Sequence, residues 1–175
     1  MSEERAVLHR RLIDALGSDA VKTAPEDLSV YAFDAYTDGP LPSAVVLPAS
    51  VREVSAAVKI AREFGEPIVA RGAGTGLCGG AVPVAGGIVI ALARMNRILE
   101  LDVPNRRARV ESGVINLDLS KDAAPSGLFY APDPSSQKIS TIGGNVATNA
   151  GGPRSLRHGP VRSWLSGVEL VLPDG

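Results

Sequence analysis

Eight of the nineteen glycines fall between Gly65 and Gly87, and no regular helix survives such a density. Glycine loses more backbone freedom on ordering than any other residue, and Pro83 removes an N–H donor as well. The stretch must therefore be a turn-rich loop, held by regular elements on either side of it.

Those elements can be read from periodicity. From Glu3 to Leu16 the apolar residues Ala6, Leu8, Leu12, Ile13 and Leu16 recur mostly three or four apart and Gly17 follows, which predicts an amphipathic packing helix. Ala44-Val45-Val46-Leu47 predicts a short buried strand stopped by Pro48, and Ser50-Val51-Arg52-Glu53 is a capping-box opening to a helix through Phe64, with Gly65 at its end. A strand over 67–71 then runs into the glycine loop, residues 72–80. Beyond it, 87–92, 98–102 and 108–111 read as strands, the last two an antiparallel pair joined by a turn at Pro104-Asn105-Arg106. Asn116 is expected to cap a short helix through Ala123, ended by Gly127. The Pro-, Ser-, Gly-, Thr- and Asn-rich stretch 132–152 reads as a long loop, a length that is more often functional than idle. A last strand is expected over 167–172, before a turn at Pro173-Asp174-Gly175.

Gly74-Thr75-Gly76-Leu77-Cys78-Gly79 spells a dinucleotide fingerprint, with acids Glu100 and Asp102 downstream. That fingerprint needs a helix directly behind the glycines, and Gly80, Pro83, Gly86 and Gly87 forbid one. A phosphate-binding P-loop fails too, because no Gly-Lys-Ser or Gly-Lys-Thr occurs. What remains is either a tightly turned surface loop or a backbone nest whose successive N–H groups hold an anion such as a diphosphate. Arg71 taken alone reads as a solvated strand end, and Cys78, with no basic neighbour within two residues, as a packing residue.

Composition excludes several classes. The 18 Lys and Arg balance 19 Asp and Glu, giving a net charge of −1, which argues against nucleic acid and against a polybasic membrane anchor. No run approaches the ~18 apolar residues of a membrane span, and Met1-Ser2-Glu3-Glu4-Arg5 opens with acids where a signal peptide needs a basic start; a cytoplasmic location is expected. One cysteine and two distant histidines, His9 and His158, exclude a disulfide framework and a local metal motif.

The glycine loop gains meaning beside Ala131-Pro132-Asp133-Pro134-Ser135-Ser136 and Thr141-Ile142-Gly143-Gly144-Asn145-Val146-Ala147-Thr148-Asn149-Ala150-Gly151-Gly152. Together these segments resemble the FAD-binding (type 2, PCMH-type) domain of the vanillyl-alcohol oxidase and p-cresol methylhydroxylase flavoprotein family. Within it they resemble the branch of 2-hydroxyacid dehydrogenases that holds the glycolate oxidase D subunits and the D-lactate and D-2-hydroxyglutarate dehydrogenases. The resemblance runs from about Ala44 to Gly175, leaving 1–43 as an N-terminal helical lead-in. It implies an α+β fold, a small parallel strand–helix unit packed on a larger mixed sheet that is cut before it is finished, with the substrate domain outside this chain.

By the same resemblance Arg71, Gly72, Ala73, Gly74, Thr75 and Gly76, continued by Gly79 and Gly80, hold the FAD diphosphate. Pro132, Asp133, Ser135 and Ser136 form a second flavin segment. Gly143, Gly144, Asn145, Asn149, Gly151 and Gly152 pass the ring and ribityl chain, Gly159 is a further family glycine, and Val168 lies in the strand beside the adenine. Relatives with histidyl-linked FAD carry histidine about where Thr75 stands, so non-covalent FAD is implied. The implied reaction is hydride transfer from the hydroxyl-bearing carbon of a small 2-hydroxyacid to FAD, with room for electron-accepting partner subunits. No catalytic base can be nominated; Arg154, Arg157 and His158 could face a carboxylate or form a solvated turn. The rival readings are a UDP-N-acetylenolpyruvoylglucosamine reductase-like enzyme and a non-catalytic nucleotide-binding subunit.

Overall fold

The computed structural model describes residues 3–175; Met1 and Ser2, which open the acidic N-terminus, lie outside the described residues. The chain packs as two compact units, one of residues up to Arg94 together with Leu170–Gly175, the other Met95–Glu169.

The first unit contains α1 (Glu3–Leu16), β1 (Val21–Lys22), α2 (Pro25–Ser29), β2 (Ala44–Val46), α3 (Val51–Glu63), β3 (Ile68–Arg71) and β4 (Ile88–Ala91). Its four-stranded sheet has the order β1-β2-β4-β3, with β1 antiparallel to β2 and the other pairs parallel. Ala44, Val45, Val46, Ile88, Val89, Ile90 and Ala91 are all at most 3% exposed, as unbroken apolar runs must be where both faces of a parallel sheet are covered. Alternation splits them: Ala44, Val46, Ile88 and Ile90 pack with Leu8 and Leu12 of α1 and Ala57, Ile60 and Ala61 of α3. Val45, Val89 and Ala91 turn to Leu28 with Tyr31 and Leu47. Each such branched side chain contributes about 1.5–3 kcal/mol of burial. The start of α3 follows the sequence closely, the Ser50 hydroxyl accepting from Glu53 N at 3.2 Å while the Glu53 carboxylate accepts from Ala49 N at 2.9 Å.

The second unit contains β5 (Ile98–Asp102), β6 (Arg107–Val110), α4 (Asn116–Ala123), α5 (Ile142–Ala147) and α6 (Ser155–His158). β5 and β6 pair antiparallel with an irregularity between Ile98 and Glu100. At their open end the exposed Arg97 clamps the buried Glu111 through its backbone N–H, Nε and Nη2. Val114, Leu119 and Ile142 form the core. The segment after β6 runs beside the one before α5, with Asn116 N donating to Ser140 O, Ile142 N to Val114 O and Gly143 N to Ser112 O.

The α+β class stands, and several details differ from expectation. The parallel strands make up most of the larger sheet instead of packing on it, and the second sheet has only two strands among the described residues. Residues 167–172 form no strand: Val168, Leu170 and Leu172 are 54%, 71% and 58% exposed, and alternation alone makes no strand without a ladder partner. Residues 3–43 are no mere lead-in, since β1 extends the sheet and α1 shares its core. The long loop contains α5, capped by Thr141 Oγ1, which accepts from Gly144 N. Asn116 is not a cap: the N-cap position is Ile115, and the Asn116 side chain is 0% exposed.

Candidate functional site

In the first unit β3 delivers Arg71 to the root of the glycine loop. Its side chain is 6% exposed, and Nη1 donates to Phe33 O at 2.6 Å and Ala81 O at 3.2 Å, with the guanidinium 5.7 Å from the Tyr31 ring centre. The solvated strand end expected of an isolated arginine is thus replaced by a buried brace whose charge burial weakens, Tyr31 and Asp34 opposing. Gly74 and Gly79 have φ of +71° and +74°, conformations that favour glycine. Asp34 accepts from Tyr36 N, Thr37 N and Gly79 N at 2.9, 2.7 and 2.8 Å, and Ala35 N donates to Gly76 O. The Tyr36 and Thr37 amides hold the Asp34 carboxyl below the usual carboxylate range, with Gly79 N–H and Arg71 helping and burial opposing.

The loop is thus tied at both ends, while its middle is unspent. No residue from Ala73 to Cys78 donates its backbone N–H to another described group. Thr75 is half-buried among them, and Gly72, Gly79 and Gly80 flank the run. Cys78 is exposed, not packed.

In the second unit Pro132, Asp133 and Pro134 are buried and Ser135 is exposed, followed by the half-buried Ser136. Asp133 accepts from Arg154 N at 3.0 Å and lies 3.5 Å from Arg154 Nε. Gly152 lies so close that a Cβ there would overlap the Asp133 carbonyl and stand 2.7 Å from Oδ1. Gly143 likewise packs on Ser112, 2.6 Å from its Cβ to a built one. Asn149 has φ +49° and accepts from Arg162 N; Gly151 and Gly159 face Ser155 and Ser163, and Val168 stands in solvent. The glycines of this stretch are therefore needed for internal packing in at least two places.

Arg154 also lies over Phe129, whose ring meets His158, which meets Trp164. Among the described residues no group of three His, Cys, Asp or Glu could hold a metal ion.

Sequence reasoning missed two kinds of residue. Asp34 sits in Phe33-Asp34-Ala35-Tyr36-Thr37-Asp38-Gly39, a turn-forming composition that signals an Asx turn. Asn116 has both amide atoms buried and unpartnered among the described residues, as do Asn145 Nδ2, Ser112 Oγ and Ser140 Oγ. Each unpaired buried polar atom costs about 1–3 kcal/mol, so such atoms call for a polar partner. The unspent loop amides of the first unit fit a diphosphate, and the unpartnered amide groups of the second call for a polar ligand group of their own.

A family model described as FAD binding domain matches residues 42–175. The chain belongs to that family. FAD is accordingly its cofactor. This FAD-binding domain is 44% identical over 166 residues to glycolate oxidase subunit GlcD of Bacillus subtilis, covering 94% of the chain and 35% of that protein. It is 46% identical over 134 residues to D-lactate dehydrogenase of Anaerostipes hadrus, covering 77% of the chain and 28% of that protein. A crystal structure of p-cresol methylhydroxylase with substrate bound matches with a TM-score of 0.75 and 26% identity, over 86% of this chain and 30% of that one. The domain thus has the p-cresol methylhydroxylase type of fold and spans about a third of the length of these relatives. Among its described residues no helix is long and apolar enough to cross a membrane.

Proposed function

We propose that the chain is the FAD-binding portion of a flavin-dependent dehydrogenase or oxidase of small 2-hydroxyacids. The supporting observation is that the likeness to a glycolate oxidase subunit covers 94% of the chain and so crosses both glycine-rich segments. FAD, when bound, supplies the two-electron acceptor for oxidation of the hydroxyl-bearing carbon.

In this reading residues 44–175 carry the cofactor contacts and 3–43 brace the sheet of the first unit. The N–H groups of Gly72, Ala73, Gly74, Thr75 and Gly76, with that of Gly80, hold the diphosphate, while Gly79 closes the far end of the loop on Asp34 and Arg71 shapes it from below. Pro132, Asp133, Ser135 and Ser136 form the second flavin segment, its backbone stiffened by proline and its Ser135 and Ser136 hydroxyls offering donors to the cofactor. Gly143, Gly144, Asn145, Asn149, Gly151 and Gly152 offer close backbone approach and amide groups to the ring side, with Gly159 behind them and Val168 beside the adenine. Thr75 lacks any nucleophilic imidazole, so FAD is held without a covalent bond. The protein works in the cytoplasm and passes electrons to partner subunits.

Acid precipitation followed by absorbance spectroscopy tests the seat. Yellow colour is expected in the supernatant; colour in the pellet would overturn the non-covalent reading, and no colour in either the seat itself. In the protein at the length of its relatives, anaerobic glycolate, D-lactate or D-2-hydroxyglutarate should bleach the flavin. Bleaching by NADPH and by none of these acids would point to a reductase instead.

A further inference from the structure

The two carboxylate oxygens of Asp34 do different jobs. Oδ1 accepts from Tyr36 N and Thr37 N, closing the turn to which Asp34 belongs, whereas Oδ2 reaches across 45 residues of sequence to Gly79 N. A Cβ on Gly76 would stand 4.0 Å from the same Oδ2, so this oxygen underlies the arc from Gly76 to Gly79. Asp34 is 5% exposed. A carboxylate under a loop that receives a diphosphate should repel its ligand, yet its charge faces three N–H donors and the buried Arg71 guanidinium.

We propose that Asp34 is a positioning residue for FAD: through Oδ2 it takes Gly79 N–H out of play and fixes the far end of the glycine loop, so that the amides of 73–78 stand ready for the diphosphate before the cofactor arrives. The assignment rests on reading residues 72–80 as the diphosphate seat. Preorganisation of this kind strengthens binding by removing an ordering cost, not by adding a contact.

Asp34→Asn isolates the effect. The asparagine Oδ1 still accepts from Tyr36 N and Thr37 N, but its Nδ2 now points a donor at the Gly79 donor, so the turn persists and only the loop end is released. FAD should dissociate from D34N with a constant at least about tenfold higher, equivalent to about 1.4 kcal/mol. Amide exchange at Gly79 should accelerate while exchange at Tyr36 and Thr37 does not, a pattern that general destabilisation would not give. Wild-type chain that binds FAD while D34N binds it equally tightly overturns the role of Asp34 alone; wild-type chain that binds no FAD overturns the seat and this role with it. Should D34N fail to fold, the wild-type chain without FAD still decides: Gly79 N–H protected relative to the amides of 73–78 supports the assignment, and equal exchange throughout overturns it.

Discussion

The Arg71 guanidinium passes beneath Gly74 so closely that a Cβ on residue 74 would stand 2.6 Å from Arg71 Cζ. Arg71 cannot swing aside cheaply, because two backbone carbonyls hold its Nη1. At φ +71° any side chain also costs about 1–2 kcal/mol. Gly74→Val should therefore lower the unfolding midpoint of the FAD-free chain and abolish FAD retention. Gly76 lacks a positive φ and its nearest neighbour is 4.0 Å from a built Cβ. Gly76→Ala should leave FAD-free stability within about 0.5 kcal/mol, so that any loss of FAD reports the approach of the cofactor itself. Urea titrations and flavin content of the two variants check this, and equal destabilisation by both would contradict it.

Gly152→Ala should be among the most damaging single-methyl changes in the second unit. The obstruction is the Asp133 backbone, whose neighbours Pro132 and Pro134 are buried and stiff. Overpacking of this kind costs about 1–3 kcal/mol. Chemical denaturation measures it, and wild-type stability in the variant would show that 132–134 moves more freely than its packing implies.

His9 makes stability fall toward acid. Burial holds its imidazole below the ordinary value of 6.5, with the Arg5 charge adding to this and a Ser43 backbone hydrogen bond and Glu66 opposing it. The unfolded chain therefore takes up the proton before the folded one does. The His9 contribution is complete above about pH 6.5 and is lost as pH falls through that value toward the lower folded one. Denaturation midpoints across this window should slope in the wild type and flatten in His9→Gln; identical slopes would exclude His9 as the cause.

Tyr130 acts at the other end of the scale. Burial pushes its hydroxyl up to about 12, so the folded chain keeps the proton that the unfolded chain releases near 10. Its contribution is full below pH 10 and disappears as pH rises toward 12. Tyrosinate absorbance should show one tyrosine fewer titrating in Tyr130→Phe, the missing one being the most alkaline.

Much of the scaffold is legible because single residues decide it. Ser50 and Glu53 announce the start of α3, and the apolar runs at 44–46 and 88–91 announce central strands. The glycine loop is legible as a loop for the same reason. What holds it is not, since Asp34 and Gly79 meet only after β2, β3 and β4 have been assembled. The helix at 142–147 hides behind Gly143 and Gly144, poor helix formers that are tolerated because Gly143 must approach Ser112 and Thr141 supplies the cap. Asn116 misleads in the opposite sense: its side chain suits a cap, but its N–H is already committed to Ser140 O. The strand expected at 167–172 fails because a pattern of alternation carries no information about the partner it requires.

Val171 packs on the core of the first unit, and Ser55 Oγ donates to the Gly175 carbonyl across 120 residues of sequence. Residues 95–169 are therefore an insertion within the chain of that unit. Contacts so distant in sequence form late, because the intervening loop must close first. On a ribosome the insertion emerges whole while α3 still waits for Val171 and Gly175. Vectorial synthesis thus exposes all of Met95–Glu169 before the first unit can close its contacts to Val171 and Gly175.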